Sequence, residues 1–563
     1  MFFRTKQTAG RAYLQIVESR RDAGKVRQHV VATLGRLDEL TASGQLERLL
    51  RSGARFASQA MVLQAAREAA RQAADQATDQ SETPAVVTRR IGPTLVFQRL
   101  WKETGCAAVV AKLAARRKHA FELERAVFLT VLHRLCGGGS DRAAERWRDD
   151  VRIEGADDLH LHQLYRAMSW LGQELPKAQQ DGRTPFAPRC TKDLIEERLF
   201  AARRDLFSKL DLVFMDTTSF YFEGAGGDTL GRRGFSKDHR PDLPQMILAV
   251  ILDGDGRPVC CEMWPGNTAD VTSLVPVVER LRRRFAIERV CVVADRGMIS
   301  AATLAEIEAR GLLYILGARE RTDSLVREIV LDDPDPFVPY CKTTPRKKVI
   351  DYEAKAVTLA GRRYIVCRNA EQADKDGADR TAILASLERQ LKQGDKALVA
   401  NKGYRRFLKS LGKDHFAIDH AKAEEDARFD GIFVLRANTD LNPVEAMLCY
   451  KQLWTVEAIF RTSKSLLATR PIFHQLDTTI RGHVFCSFLA LVLKSALEER
   501  IAALGRTTSW QDILSDLHSL SETQIEQDGK RFVVRTAPRP AASLALRAAG
   551  AALPPTVRSL ADA

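Results

Sequence analysis

The chain has 563 residues, 45% of them hydrophobic, which excludes a disordered protein and gives roughly four domains as a starting expectation. Its 86 Lys and Arg outnumber its 72 Asp and Glu, leaving a formal charge of +14, an excess that favours polyanionic partners, nucleic acid before membrane. Ten cysteines without CxxC spacing argue against zinc and against a disulfide framework, and fit a reducing compartment.

The N-terminal MFFRTKQTAGR has no apolar run of signal-peptide length, and the longest apolar run, Val484–Leu493, is far short of a membrane span. A cytoplasmic protein is expected. Residues 12–35 predict two strands around a turn at Asp22-Ala23-Gly24, a basic hairpin suited to DNA phosphates or to a solvated edge. Residues 39–78 read as helical, and SETPAV (81–86) as the first linker, so 1–84 forms one unit. Across 85–206 the periodicity is again helical, in LVFQRLWKETG, LERAVFLTVLHRLCGG, SDRAAERWRD and LHLHQLYRAMSWLG. Ser140 is placed to cap the third of these. A basic helical array suits DNA binding or a scaffold. On a helix His160 and His162 would diverge, so they read as structural.

From 207 to 320 the pattern becomes α/β. Strands are expected at 211–222, 244–252 and 257–266, the last two around the turn Asp253-Gly254-Asp255-Gly256, which is a strong hairpin signal. A helix at Asp270–Phe285, a strand at 289–297, a helix at Ala301–Arg310 and a strand at 314–320 complete a mixed sheet flanked by helices. Residues 321–440 read as a β-rich inserted subdomain, with strands YEAKAVTL, RRYIVCRN and GIFVLRAN and a charged helix near Thr381–Lys392. In 441–522 one helix of about seven turns is expected over 445–469. RPIFHQLDTTIRGHVFCSFLALVLKSALEERI follows, helical and buried. The last unit, 523–563, holds the strand KRFVVRT and an Ala/Pro-rich tail from Ala537, expected to be poorly ordered.

The chemistry concentrates on three acids. At about 100° per residue, Tyr450, Leu453, Glu457, Arg461 and Lys464 share one stripe of the 445–469 helix, opposite Val456, Ile459, Phe460, Leu466 and Leu467. Asp216 in VFMDTTS and Asp295 in VCVVADRG each end an apolar strand, where a carboxylate reaches the rim of a sheet. Each alone could begin a turn, and Glu457 and Arg461 could be a solvated i,i+4 pair. Together the three offer hard oxygen ligands suited to Mg²⁺ or Mn²⁺. Two such ions roughly 3.5–4 Å apart can activate a water or a 3′-hydroxyl at a phosphodiester. The loop after the first strand places Lys237, His239 and Arg240 where they could steer DNA toward Asp216, with Asp238 and Asp242 balancing charge. Trp264 reads as core. Trp454 lies near the polar stripe, where it could stack on an extruded base.

These segments, FMDTTS, GFSKDHRPDLPQ, ADRGM and YKQLWTVEAIFRTSK, resemble a DDE-type insertion-sequence transposase with a ribonuclease-H-like core. The subgroup is the bacterial one with a Tyr-Arg-Glu-Lys signature, of spacing Tyr, two residues, Arg, three, Glu, six, Lys. Tyr450, Glu457 and Lys464 match it, whereas Leu453 fills the Arg slot and Arg461 offers a charge nearby. The resemblance covers about residues 210–500 and implies Asp216, Asp295 and Glu457 as the metal-binding triad. It also implies Tyr450 and Lys464 as phosphate contacts and a mostly β insertion between the second and third acids. The implied protein binds terminal inverted repeats, cuts the double-stranded DNA at their ends with two metal ions and joins the 3′ ends to target DNA. It would work as a homodimer on DNA at the nucleoid. A metal-dependent nuclease without strand transfer, or a non-catalytic DNA-binding descendant, are the alternatives.

Overall fold

Alternating short apolar and basic residues at the N-terminus form a three-stranded antiparallel meander, β1 (Phe2–Thr8), β2 (Arg11–Asp22) and β3 (Lys25–Arg36). A short helix, α1 (Leu37–Ala42), follows. The expected hairpin is present, with β1 added along the free edge of β2. The computed structural model describes residues 2–8, 11–22, 25–42, 46, 86–203, 212–287, 290–318, 323–324, 326–343, 349–391, 407–412, 415–527 and 530–560. The rest of the helix expected over 39–78, the turn residues Ala23 and Gly24, and nearly all of the SETPAV linker lie outside the described residues. Residues 1–85 and 86–563 are two compact units.

The larger unit begins with β4 (Val87–Arg90) and a helical array. Its members are α2 (Gly92–Glu103), α3 (Cys106–Ala114), α4 (Leu123–Cys136), α5 (Asp141–Asp149), α6 (Leu161–Leu171) and α7 (Thr191–Arg203). Phe97, Leu100, Trp101, Phe128 and Leu129 fill its core. Ser140 does precede α5, in extended conformation, but makes no side-chain cap bond. His160 is not helical: it is the extended residue before α6 (φ −100°, ψ 159°), and its N–H is capped by Gln163 Oε1 at 2.8 Å. Its ring therefore stacks on His162 at 6.0 Å instead of diverging.

The α/β region starts with the antiparallel meander β5 (Leu212–Tyr221), β6 (Gln245–Leu252) and β7 (Pro258–Pro265). Then come α8 (Asp270–Phe285), β8 (Cys291–Ala294), α9 (Ala301–Ala309) and β9 (Leu313–Gly317), with β8 parallel to β5 and β9 parallel to β8. The spatial order β7-β6-β5-β8-β9 is the 3-2-1-4-5 arrangement of a ribonuclease-H-like sheet. β6 is buried throughout because its side chains alternate between two faces and a packed layer covers each. Met215, Ile247, Ala249 and Ile251 pack on α8 and α9, whereas Phe214, Phe220, Leu248 and Val250 face the opposite layer.

The 321–440 segment carries the expected strands as β11 (Val349–Leu359), β12 (Arg362–Arg368) and β15 (Ile432–Ala437), preceded by β10 (Val338–Thr343). These four continue the sheet of β5 to β9, because β15 pairs antiparallel with β9, giving nine strands in order β10-β11-β12-β15-β9-β8-β5-β6-β7. Its helices are α10 (Ala370–Leu391) and α11 (His420–Ala427), around a small hairpin of β13 (Leu408–Gly412) and β14 (His415–Ile418).

The single helix expected over 445–469 is two helices, α12 (Pro443–Lys451) and α13 (Leu453–Ser465). Bonds from Gln452 N–H to Cys449 O and from Thr455 N–H to Gln452 O tighten one turn to i→i+3 spacing. Asn442 and Glu445 form a capping box at the start. Residues 470–476, expected to be helical, are instead irregular, and α14 (Asp477–Ala503) starts after them. This helix is long and apolar enough to cross a membrane, but 83% of its apolar window is buried in the fold. Gly482 allows it to touch α6, where a Cβ would overlap the Met168 carbonyl.

The C-terminal tail is ordered, contrary to expectation. After α15 (Trp510–Ser519), β16 (Ser521–Gln527) and β17 (Lys530–Arg535), the Ala-rich stretch forms α16 (Pro540–Ala549), and β18 (Val557–Leu560) ends the described chain. Proline at its first turn and buried Ala541, Ala542, Ala545, Leu546 and Ala549 explain the helix. Strands β18-β17-β16-β4 form one sheet, joining the end of this unit to its beginning. A buried ionic network links α7, β7 and α8: Asp193 with Lys192 and Arg280 at 2.8 Å each, and Glu262 with Arg280 at 3.0 Å and Arg284 at 2.7 Å.

Candidate active site

Strand register brings two of the acids together. The parallel pairing of β5 with β8 ends at Met215↔Ala294, so Asp216 and Asp295 occupy the next position on each chain. Asp216 does not end its strand, as had been expected. It sits mid-strand opposite Val250, and only the shorter β8 stops there. By alternation with Phe214 and Val293, both acids face the layer that holds α13. Val456 and Phe460 bury the inner side of α13, and Glu457 completes a cleft of about 220 Å³ lined by Asp216, Asp295, Phe433, Tyr450, Lys451, Leu453, Trp454 and Glu457.

The cleft concentrates negative charge. Burial pushes the Asp216 carboxyl up to about 6, Asp295 and Glu457 add to the rise, and Lys237 and the Thr217 N–H oppose it. Thr217 N–H donates to Asp216 Oδ1 at 2.7 Å. Tyr450 Oη donates to Asp295 Oδ1 at 3.1 Å, and its ring stacks near Phe433 at 6.2 Å. Lys451 lies over both Phe433 and Tyr352. The donor set, three converging carboxylates with one held above its ordinary ionisation range, fits a divalent cation. The three acids share the cleft without forming a group whose oxygens all lie within 4.8 Å of one another; among the described residues, only Asp141, His474 and His483 form such a group.

The cationic residues divide. Lys237 Nζ donates to Thr217 Oγ1 at 2.6 Å and to Thr217 O at 2.7 Å, on the strand that carries Asp216. Lys464 does not line the cleft; its Nζ binds Asp238 at 2.7 Å, and Arg470 faces the same carboxylate at 3.5 Å. Asp238 is therefore more than a charge balance: its side chain is 5% exposed and ties the end of α13 to the loop after β5. Arg240 pairs with Asp242 at 2.9 Å, and Arg240 and Arg470 both lie over the Tyr221 ring. His239 is exposed, in a left-handed conformation (φ 57°). Arg461 is exposed and does not line the cleft. Leu453, in the Arg slot of the signature, is 8% exposed and forms part of the cleft wall. Trp264 is core, packed on Phe186, and Trp454 is 78% exposed at the cleft. Phe433 and Lys451 escaped the sequence reading. Phe433 reaches the cleft only because β15 joins the sheet that carries Asp216.

Two family models match the chain. The N-terminal domain of IS1634 family transposases matches residues 3–69, and the transposase DDE domain matches residues 207–474, which include all three acids. No curated protein matches. Among solved structures, the piggyBac transposase synaptic complex with hairpin DNA is 10% identical, covering 76% of this chain and 79% of its own, with a TM-score of 0.36. The Mos1 transposase paired-end complex with the left transposon end is 14% identical, covering 35% of this chain and 60% of its own, with a TM-score of 0.14. With scores that low, the assignment stands on the two sequence models and on the strand order. The chain belongs to the DDE-type insertion-sequence transposases.

Proposed function

We propose that this transposase binds the terminal inverted repeats of its own element, cuts the DNA at the element ends, and transfers the freed 3′-hydroxyls to target DNA. The observation that carries this reading is the convergence of Asp216, Asp295 and Glu457 on one cleft, where burial and the neighbouring acids push the Asp216 carboxyl up to about 6. These three acids would hold two Mg²⁺ or Mn²⁺ ions, which supply activation of the attacking oxygen and stabilisation of the leaving oxygen at the phosphodiester.

The chain's own groups orient the site. Tyr450 fixes the Asp295 carboxylate through its hydroxyl. Lys237 holds positive charge beside Asp216 and, with Arg240 and His239, lines the approach for the DNA backbone. Lys464 serves as a phosphate contact once the phosphate competes with Asp238 for its ammonium, and Arg461 adds charge on the exposed side of α13. Trp454 offers a stacking face for an unpaired base at the cleft mouth. Joining two ends in one reaction requires two copies of the cleft, hence a homodimer on DNA.

The test uses the full chain with oligonucleotide ends, uncut and pre-cut. Cleavage of uncut ends and joining of pre-cut ends are both expected with Mg²⁺. Hydrolysis without joining would reduce the protein to a nuclease, and neither reaction would leave a DNA-binding protein alone.

A further inference from the structure

Away from the carboxylate cleft, the loop after α13 meets the helical array at a buried cluster. Asp141 opens α5, His474 lies in the loop, and His483 is in the second turn of α14. His474 Nε2 is 3.0 Å from His483 Nδ1 and 3.2 Å from Asp141 Oδ2, and His483 Nδ1 is 3.2 Å from Asp141 Oδ2. A tetrahedral ion with nitrogen and oxygen ligands at about 2.0–2.1 Å sets those atoms about 3.3 Å apart, close to the observed triangle. The side chains are 7% (Asp141), 9% (His483) and 14% (His474) exposed.

The far side of two of these groups is anchored, as the partners of metal ligands usually are. His483 Nε2 faces the Thr469 carbonyl at 3.0 Å, which assigns its proton to Nε2 and leaves a lone pair on Nδ1. Asp141 Oδ1 accepts from Arg134 Nη2 at 2.8 Å, leaving Oδ2 for the cluster. The Nδ1 lone pair and the Oδ2 oxygen thus confront each other and need a shared positive centre. Without an ion, the His474 Nε2 proton and Arg134 Nη2, 2.9 Å from Nδ1, fill that need. With an ion, Arg134 would keep its bonds to Asp141 Oδ1 and to Ser487 Oγ at 3.3 Å.

We propose that Asp141, His474 and His483 form a structural site for a divalent transition ion of the zinc class, which clips the loop behind the Glu457 helix to the helical array. Two imidazoles and one carboxylate select zinc over magnesium, whereas the all-carboxylate cleft does the reverse. The lack of CxxC pairs speaks only against thiolate zinc sites.

The test silences the cleft in the full chain with Asp216→Asn, Asp295→Asn and Glu457→Gln together, dialyses the protein against Zn²⁺ and measures metal content by mass spectrometry. Co²⁺ is titrated in parallel, with visible d–d absorption as the readout. About one retained equivalent of Zn²⁺ and a tetrahedral-type Co²⁺ spectrum are expected. Adding His474→Ala to the same background should weaken Co²⁺ binding by roughly tenfold or more. A triple variant that retains no zinc and gives no Co²⁺ spectrum overturns the proposal, as does undiminished binding with His474→Ala. If His474→Ala fails to fold, the metal content of the triple variant decides alone.

Discussion

Asp216→Asn should make the metal-free protein more stable while removing its activity. In the fold, burial and the neighbouring Asp295 and Glu457 push the Asp216 carboxyl from 3.8 up to about 6. A difference of about two units, at roughly 1.36 kcal/mol each, opposes the ionised folded state by about 3 kcal/mol at neutral pH. Because the folded value is the higher one, the favourable contribution belongs to the protonated acid. It is complete below pH 3.8 and lost as pH rises through 6. The amide carries no charge at any pH, so the variant escapes this loss. In EDTA, urea unfolding of Asp216→Asn should show a gain of up to about 3 kcal/mol at pH 7.5, roughly halved at pH 5 and vanishing toward pH 4. Added Mg²⁺ should stabilise the wild type and leave the variant nearly unmoved. A variant no more stable than wild type at pH 7.5, or a gain that does not change between pH 5 and 7.5, would refute the reasoning that the three acids crowd one desolvated cleft.

Other outcomes follow from single contacts. Tyr450→Phe removes the hydroxyl bond to Asp295 and should slow single-turnover cleavage by roughly fivefold, about 1 kcal/mol, with end binding unchanged; an unaltered rate would show that the bond does not orient Asp295. Lys464→Ala leaves the buried Asp238 with Arg470 alone, so thermal unfolding should reveal a loss of about 1–3 kcal/mol. The salt dependence of DNA binding should fall by about one unit of slope if Lys464 meets a phosphate. Buried His133 is held down to about 4 by desolvation and by Arg134. Its neutral form therefore favours the fold above pH 6.5, and this stability drains away as pH falls through 4. His133→Gln should flatten the stability profile over that window by up to about 3 kcal/mol, and an unchanged profile would remove His133 from the acid response.

The sequence carried the catalytic elements well because their signals are local. The helix expected at Asp270–Phe285 matches the structure to the residue, since its apolar spacing is helical. The acids were legible as strand-associated carboxylates, but the register that sets Asp216 beside Asp295 is a non-local property of β5 and β8. The strand is expected over 211–222, but Asp216 reads as its end because the apolar run of Val213, Phe214 and Met215 stops there. Asp216 stays in the strand because β6 pairs with it as far as Tyr221↔Gln245. The break at Gln452 has no Pro or Gly to announce it. The Asp238 pair with Lys464 joins residues 226 positions apart, and the Asp141 cluster spans 342, so no window along the chain contains either. The Ala/Pro-rich composition of the tail suggests poor order, yet one Pro at a helix start and alanines on one face describe a packed helix.

The central claim is that three acids distant in sequence bind divalent ions at one place, and Mn²⁺ titration of the full chain by electron paramagnetic resonance tests it most directly. Taken as the difference from a Glu457→Gln control, wild-type protein is predicted to sequester Mn²⁺ in the cleft, and Asp216→Asn and Asp295→Asn are each predicted to abolish that difference. Equal Mn²⁺ uptake by wild type and all three single variants would contradict it.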